Sequence, residues 1–427
     1  MKWATYTMQE LINEISMGPF GSDIKKSIYT NSGVPVLNGA NLQGFTLKEN
    51  TFGYVSEEKA DSLKKCNAHR GDIIVTHRGT LGQIVYIPNN SLFERYVISQ
   101  SQFRFNLKPE LARSEFIVYY FHTREGQHKI LSNASQVGVP ALARATTTFR
   151  QLEVKVPPLP VQDKIVGILS ALDAKIENNN KINANLETQA QALFKSWFVD
   201  FTPFKDQPFV DSELGSIPQG WKVGKYEDII LDTLAGDWGK EKITGNYTHE
   251  VACVRGCDFQ DMNNGYRGNT PQRYILEKNY SAKRLLPQDL IIEISGGTLT
   301  VSTGRACLVS KEMLEKYDNN LVCTNFCKVI RPIDGYSAYC YYSWLHKYNN
   351  RVMFGYENGS SGLKNFRFKD FLTKEPLLIP PKADLIKFQH IIKLLQQKKQ
   401  TNGTESTKLT ALRDTLLPKL MSGEIKL

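Results

Sequence analysis

Val34–Gln43 reads VPVLNGANLQ, and Val251–Gln260 reads VACVRGCDFQ. Both run apolar, then Gly, a small residue, Asn or Asp, an apolar residue and Gln, and their glycines, Gly39 and Gly256, stand 217 residues apart. The same offset lays GDIIV at 71–75 on QDLII at 288–292, Asp72 on Asp289, and Gly79 on Gly296. Each apolar run therefore leads into a glycine-rich loop, HRGTLG at 77–82 and SGGTLT at 295–300. Trp3 and Leu11-Ile12 fall on Trp221 and Ile229-Ile230 at 218, and VPP at 156–158 falls on IPP at 379–381 at 223. Several matches in a nearly constant register identify an internal duplication.

Each copy opens with about 155 residues of short β-like runs punctuated by glycine. A Pro-Pro stop and a helical segment follow. Ile165, Ile168, Leu169 and Leu172 keep the three-to-four spacing of a helix that buries one stripe, and Leu186, Leu193, Phe194 and Trp197 continue it. In the second copy Phe388, Ile391, Ile392, Leu395, Leu409, Leu416, Leu417 and Leu420 occupy the matching positions. The polar stretches Asn178–Asn180 and Thr401–Thr404 predict a kink or break near the middle of each. Roughly 40 residues of helix extend about 60 Å, more than one such domain can cover, so the two helices are expected to pack on each other. The expected architecture is α+β: two similar globular α/β domains, 1–156 and 221–379, joined by long antiparallel, coiled-coil-like helical spacers at 157–201 and 380–427. A linker covers 202–220, and the whole is pseudo-two-fold symmetric.

The 427 residues exceed one ordinary core and carry a net charge of +10, with most of the basic excess in 214–427. That balance favours a polyanionic partner, because each cation placed on a phosphate releases a counterion. The longest apolar stretches fall well short of the roughly 18 residues that suggest a membrane span, and the first residues carry no secretory signal. The cytoplasm, away from membranes, is the expected location.

Catalytic signatures are missing from the sequence. The Pro-Pro pairs at 157–158 and 380–381 follow Val and Leu-Ile and precede no aromatic residue, unlike the Asn/Asp-Pro-Pro-aromatic loop of an adenine methyltransferase. There is no GxxxxGK[ST] phosphate loop. Asp289 and Glu293 suggest paired nuclease acids, but Ser295 stands where a lysine is wanted and Thr76 replaces Glu293 in the first copy. The C-x₃-C pairs Cys253/Cys257 and Cys323/Cys327 invite a zinc reading. The first pair aligns with Val36 and Ala40, however, so reduced, buried thiols at small packing positions are expected, with no metal site and no catalytic centre.

Strings at three places resemble the specificity (S) subunits of type I restriction–modification enzymes. They are PPLPVQDKIVGILSALDAKIENNNKINANLETQAQALFKSWFVDF at 157–201, DSELGSIPQGW at 211–221 and LRDTLLPKLMSGEI at 412–425. The alternation of variable domain and helix resembles the same family. The resemblance implies that each globular domain is a target-recognition domain reading one half of an asymmetric bipartite site in double-stranded DNA. It implies that the helices set the spacing and dock two methyltransferase (M) subunits, with restriction (R) subunits joining the full complex. It also implies that S-adenosylmethionine, ATP and Mg²⁺ belong to those partners, leaving this chain without cofactor. A protein-binding helical scaffold, or an enzyme acting on DNA directly, are the other readings.

Base readout needs Arg, Lys, amide or hydroxyl groups on loops. The candidates in the first copy are Lys25, Lys26, Arg78, Thr80, Arg144 and Arg150. In the second they are Lys240, Lys242, Thr298, Arg305, Lys364 and Arg367.

Overall fold

A computed structural model describes residues 3–21, 23–132, 134–135, 138–359 and 364–427, apart from the side chain of Lys26. The chain forms two compact units, Met1–Ala174 with Thr410–Leu427, and Lys175–Leu409.

In the first unit the strands Ile12–Met17, Gln102–Leu107, Ile73–Thr76 and Ile84–Tyr86 form a central antiparallel sheet in that order. The GDIIV run is apolar without alternation because both faces of this sheet are covered. Ile73, Val75, Phe103 and Phe105 enter one core with the helix Ser114–His122. Ile74 and Val85 point the other way, into a core shared with a second sheet. That sheet orders Gly53–Val55, Val34–Val36, Arg95–Val97 and Asn67–His69, with Val34–Val36 antiparallel to the first and parallel to the third. The VPVLNG stretch is thus the inner strand of the second layer.

The second unit repeats this arrangement. Ile230–Ala235, Cys327–Pro332, Leu290–Glu293 and Ala306–Leu308 form an antiparallel sheet of the same order. Leu290, Ile292 and Ile330 face one core, while Ile291, Val329 and Cys307 face the other. In the second layer Tyr247–Val254 runs antiparallel to Gln272–Leu276 and parallel to Leu321–Cys323. Here the layer has three strands where the first unit has four. The duplication read from the sequence is therefore one of topology, and the fold is α+β with two similar sheet-based domains and two long helices.

Those helices span Leu159–Phe198 (40 residues) and Lys382–Ser422 (41 residues). Neither is broken at its polar middle, which corrects the expectation of a break. In the second unit the polar residues meet across the helix pair. Asn402 Nδ2 donates to Asn183 Oδ1 (2.9 Å), and Asn179 Nδ2 donates to Glu405 Oε2 (2.9 Å) and Ser406 Oγ (3.2 Å). Lys399 Nζ pairs with Glu187 (2.6 Å). Asn179, Asn183, Asn402 and Ser406 are fully buried, so the stretches that look like interruptions are a hydrogen-bonded seam. The pairing also follows the duplication, since Asn179 matches Asn402 and Asn183 matches Ser406 at the offset of 223. The pairs Asn402–Asn183 and Asn179–Ser406 each join one copy's first position to the other copy's second.

Beyond the seam the apolar stripe enters the cores. Val161, Ile165 and Leu169 from the start of the first helix join Leu417, Leu420 and Met421 from the end of the second in the core of the first unit. Ala190, Phe194 and Phe198 join Leu385, Phe388 and Ile392 in the core of the second. Leu172, Leu186, Leu193, Trp197, Ile391, Leu395, Leu409 and Leu416 are half-buried. Ile168 departs from the stripe at 38% exposure, because Val161, Ile165 and Leu169 already form the i, i+4 row that meets the core.

Candidate nucleic-acid interface

The registers Met17↔Phe103 and Thr76↔Gln102 place one end of the first central sheet where two strands finish and a third begins. The loops leaving this end are tied to one another through their backbones. His77 N–H donates to Ser101 O (2.9 Å), Leu142 N–H to His77 O (2.8 Å) and Gly79 N–H to Pro140 O (2.8 Å). Gly18 lies against Ser99 and Gln102 so closely that a Cβ would stand 2.9 Å from Gln102 O, so the 18–25 loop leaves the sheet only with glycine there. Arg78 and Thr80 on the second loop, Arg144 just after the third and Lys25 on the first are all exposed. Arg144 holds a left-handed backbone (φ +46°) as the residue before the helix Ala145–Arg150. Among the described residues Lys25, Arg78 and Arg144 enter no ion pair, so their charges are available to solvent. Beside them, burial lowers the pKa of His77, which favours the neutral ring.

Two candidates of the first copy stand apart from this group. Arg150 donates to Gln9 Oε1 (2.6 Å), and Gln9 precedes the strand Ile12–Met17 at the opposite end of the sheet. The Lys26 side chain lies outside the described residues.

The second unit presents the same end, fixed by Ala235↔Lys328 and Glu293↔Cys327. Lys240 and Lys242 are exposed on the loop after Ile230–Ala235, with Lys240 Nζ 5.6 Å over the Tyr247 ring. Thr298 is exposed in a tight turn, its N–H donating to Val301 O (2.7 Å) and its Oγ1 accepting from Val301 N–H (3.0 Å). The other three cations are already paired. Arg305 grips Glu293 through two bonds (2.8 and 2.5 Å), and that hydrogen bonding raises its pKa further. Lys364 pairs with Glu357 (2.7 Å), which also accepts from Thr303 N–H (2.6 Å). Arg367 reaches Asp370 (3.1 Å) and Gly355 O (2.6 Å). The two copies thus use the same loops with different charge: free cations in the first, and mostly compensated ones in the second.

The acids considered for catalysis have structural partners. Asp289 accepts two bonds from Arg331 (both 2.9 Å) and the Leu286 N–H (2.8 Å), while Glu293 holds Arg305. Asp72 is likewise buried, between Arg104 (3.3 Å), Asn106 (3.4 Å) and the His69 N–H (3.0 Å). Its cationic partner has moved along the neighbouring strand: Asn106 stands at the position that Arg331 fills in the second copy, and Arg104 lies two residues away.

One cysteine expectation is corrected. Cys253, Cys323 and Cys327 are buried, and burial pushes the Cys253 and Cys327 thiols up to about 12. Cys257, however, is exposed, as is its counterpart Ala40, because both sit on single-turn 3₁₀ segments, Gly256–Asp258 and Gly39–Asn41, at the surface. Among the described residues no group of three or more His, Cys, Asp or Glu side chains is placed to hold a metal ion.

A search for charged and hydroxyl groups passes over the apolar residues on these same loops. Phe20, Leu299 and Phe326 are 84%, 91% and 59% exposed. The signal is present in the sequence as GPFG at 18–21 and TNF at 324–326, apolar residues set in loop-forming contexts.

Residues 2–188 match the family model described as the type I restriction modification DNA specificity domain. The specificity subunit of type I restriction enzyme MjaIX from Methanocaldococcus jannaschii is 27% identical over 393 residues, covering 86% of this chain and 81% of the relative. The chain is thus similar to the type I restriction–modification specificity subunits. The HindI specificity subunit of Haemophilus influenzae is 23% identical, with 83% and 87% of the two chains covered. In fold, the chain is similar to the crystal structure of a type I restriction-modification S subunit from M. genitalium. The TM-score is 0.57 at 18% identity, over 98% of this chain and 96% of the other. Among the described residues no helix is long and apolar enough to cross a membrane.

Proposed function

We propose that this specificity subunit reads DNA for a type I restriction–modification complex and performs no chemistry itself. Its two domains read the two halves of an asymmetric bipartite site, and the long helices set the gap and dock two methyltransferase subunits. The observation that carries this reading is the repeated sheet end. Both units direct backbone-tied, polar and basic loops from the same end of the same four-stranded sheet, yet with different residues and different charge compensation. Equal scaffolds with unequal surfaces suit half-sites of unequal sequence.

Holding two readers on one chain makes the second half-site contact intramolecular, so two modest interactions combine into high affinity. Outward-facing Ile168, Ile386, Leu394 and Leu412 leave apolar surface on the long helices, which supports docking of partner subunits there. S-adenosylmethionine, ATP and Mg²⁺ act on those methyltransferase and restriction subunits, and the complex works in the cytoplasm.

The test is co-expression with the methyltransferase partner and genome-wide mapping of methylated adenines. One bipartite motif with a single gap is expected. Lengthening both long helices by one turn, about 5.4 Å, should move the gap by one to two base pairs at about 3.4 Å each. An uninterrupted motif, or a gap indifferent to helix length, overturns the reading. Methylation or cleavage by the purified chain alone would favour an enzyme instead.

A further inference from the structure

The second unit holds a direct backbone contact between its sheet domain and the long helices. The helix Phe259–Asn263 and the turn after it lie on both helices at their polar middle. Gln400 Nε2 donates to Met262 O (2.9 Å), and Asn183 Nδ2 donates to Asn264 O (2.9 Å). Lys316 Nζ donates to Gln400 Oε1 (2.7 Å) and to Gly265 O, and the Tyr266 hydroxyl donates to Asn180 Oδ1.

At the centre, glycine meets glycine. Gly265 has φ +84°, and a Cβ on it would stand 2.5 Å from Lys399 O and 2.8 Å from Gln400 Cα. Gly403 is buried against it, and a Cβ there would stand 2.5 Å from Gly265 O and nearer still to Asn264 O. Glycine is a poor choice in the interior of a 41-residue helix, where alanine is the better helix former. The turn itself exists because Asp261–Asn264 separate Gln260 from Gly265, whereas Gln43 and Gly44 are adjacent in the first copy.

We propose that Gly403 is a positioning residue for DNA specificity. It lets the second recognition domain lock at one place on the long helices, so that the two half-sites are accepted at a single gap. This rests on the two-reader function proposed above. A role in helix stability alone predicts that alanine at 403 helps; a role as a seat predicts that it pushes the 262–266 turn away and loosens the domain.

The experiment compares the wild-type complex with its methyltransferase partner and the same complex carrying Gly403→Ala, by mapping methylated adenines across the genome. Both should recognise the same two half-site sequences. The wild type should show one gap, and the variant should add sites one base pair shorter or longer, with the share at the original gap falling several-fold. Hydrogen exchange in the intact complexes should speed at least tenfold at amides 259–266 and stay unchanged in the strand Cys327–Pro332. A bipartite motif with one gap in both proteins overturns the positioning role while leaving the two-reader function intact. A wild-type motif that is not bipartite removes both. If Gly403→Ala does not accumulate, Gln400→Ala with Tyr266→Phe removes only hydrogen bonds of the seat, and again a widened gap supports the assignment and a single gap overturns it.

Discussion

Arg78 and Arg305 sit on equivalent loops, and their substitutions should have opposite signatures. Arg78 is exposed and unpaired among the described residues, so Arg78→Ala should remove one phosphate-neutralising charge and leave the fold intact. One lost contact lowers the slope of log K against log[salt] by about 0.9. Between 50 and 200 mM salt the variant's affinity should then fall about 3.5-fold less steeply than that of the wild type. Arg305 is bound through two bonds to Glu293, whose side chain is only 5% exposed. Arg305→Ala therefore leaves a carboxylate without its partner in a site built around it, where Gly256 and Gly296 leave no room for a larger residue. Breaking a buried pair costs about 3–5 kcal/mol; the 39% exposure of Arg305 puts the expectation near the lower figure. The salt slope should scarcely change, because the removed charge was already balanced. Fluorescence anisotropy with a duplex carrying the mapped site, using the complex with the methyltransferase partner, measures the slope. Denaturant unfolding of the subunit measures the stability. The reasoning fails if Arg305→Ala flattens the slope as much as Arg78→Ala does and costs less than about 1 kcal/mol.

Phe388 is wholly buried among Phe194, Trp197 and Phe198, so Phe388→Ala should cost about 3–5 kcal/mol, seen as a lower denaturant midpoint; a loss under about 1 kcal/mol would show that the helix pair does not close this core. Asn402→Ala should cost about 1–3 kcal/mol by stranding the buried Asn183 Oδ1, and the midpoint should recover in part when Asn183 is also made apolar. Burial lowers the Lys316 pKa to about 8. Since the unfolded chain keeps its lysine protonated to about 10.4, the unfolded state binds more protons between these values and stability contributed by this group rises with pH across that window. Urea midpoints at pH 7.5 and 9.5 should show that rise in the wild type relative to Lys316→Met, and equal slopes would refute it.

The duplication was legible because it rests on patterns that topology imposes: a strand covered on both faces must be apolar throughout, as at Ile73–Val75 and Leu290–Ile292, and a following glycine must turn it. The long helices were legible from their stripe, but their continuity was not. Asn179 and Asn402 read locally as helix breakers, and only the facing helix turns them into partners. The loops at the repeated sheet end stand out by their glycines and basic residues, whereas their charge compensation was hidden. Nothing local distinguishes Arg78 from Arg305, whose fates depend on whether a carboxylate stands on the neighbouring strand, as Glu293 does. Arg150 was grouped with Arg144 by proximity in sequence, but the helix between them carries it to the other end of the sheet.

Leu417, Leu420 and Met421 close the core that begins at Met8, and Gly423 lies against the Trp3 ring. Synthesis proceeds from the amino terminus, and domains generally fold as they emerge. The core of the first unit is an exception, because it is completed by a segment made after every residue of the second unit. During that interval Val161, Ile165 and Leu169 have no apolar cover from the opposite helix. A premature stop near residue 410 would thus damage the half of the protein translated first, and a nascent chain paused there is an obvious client for a chaperone that shields apolar helices.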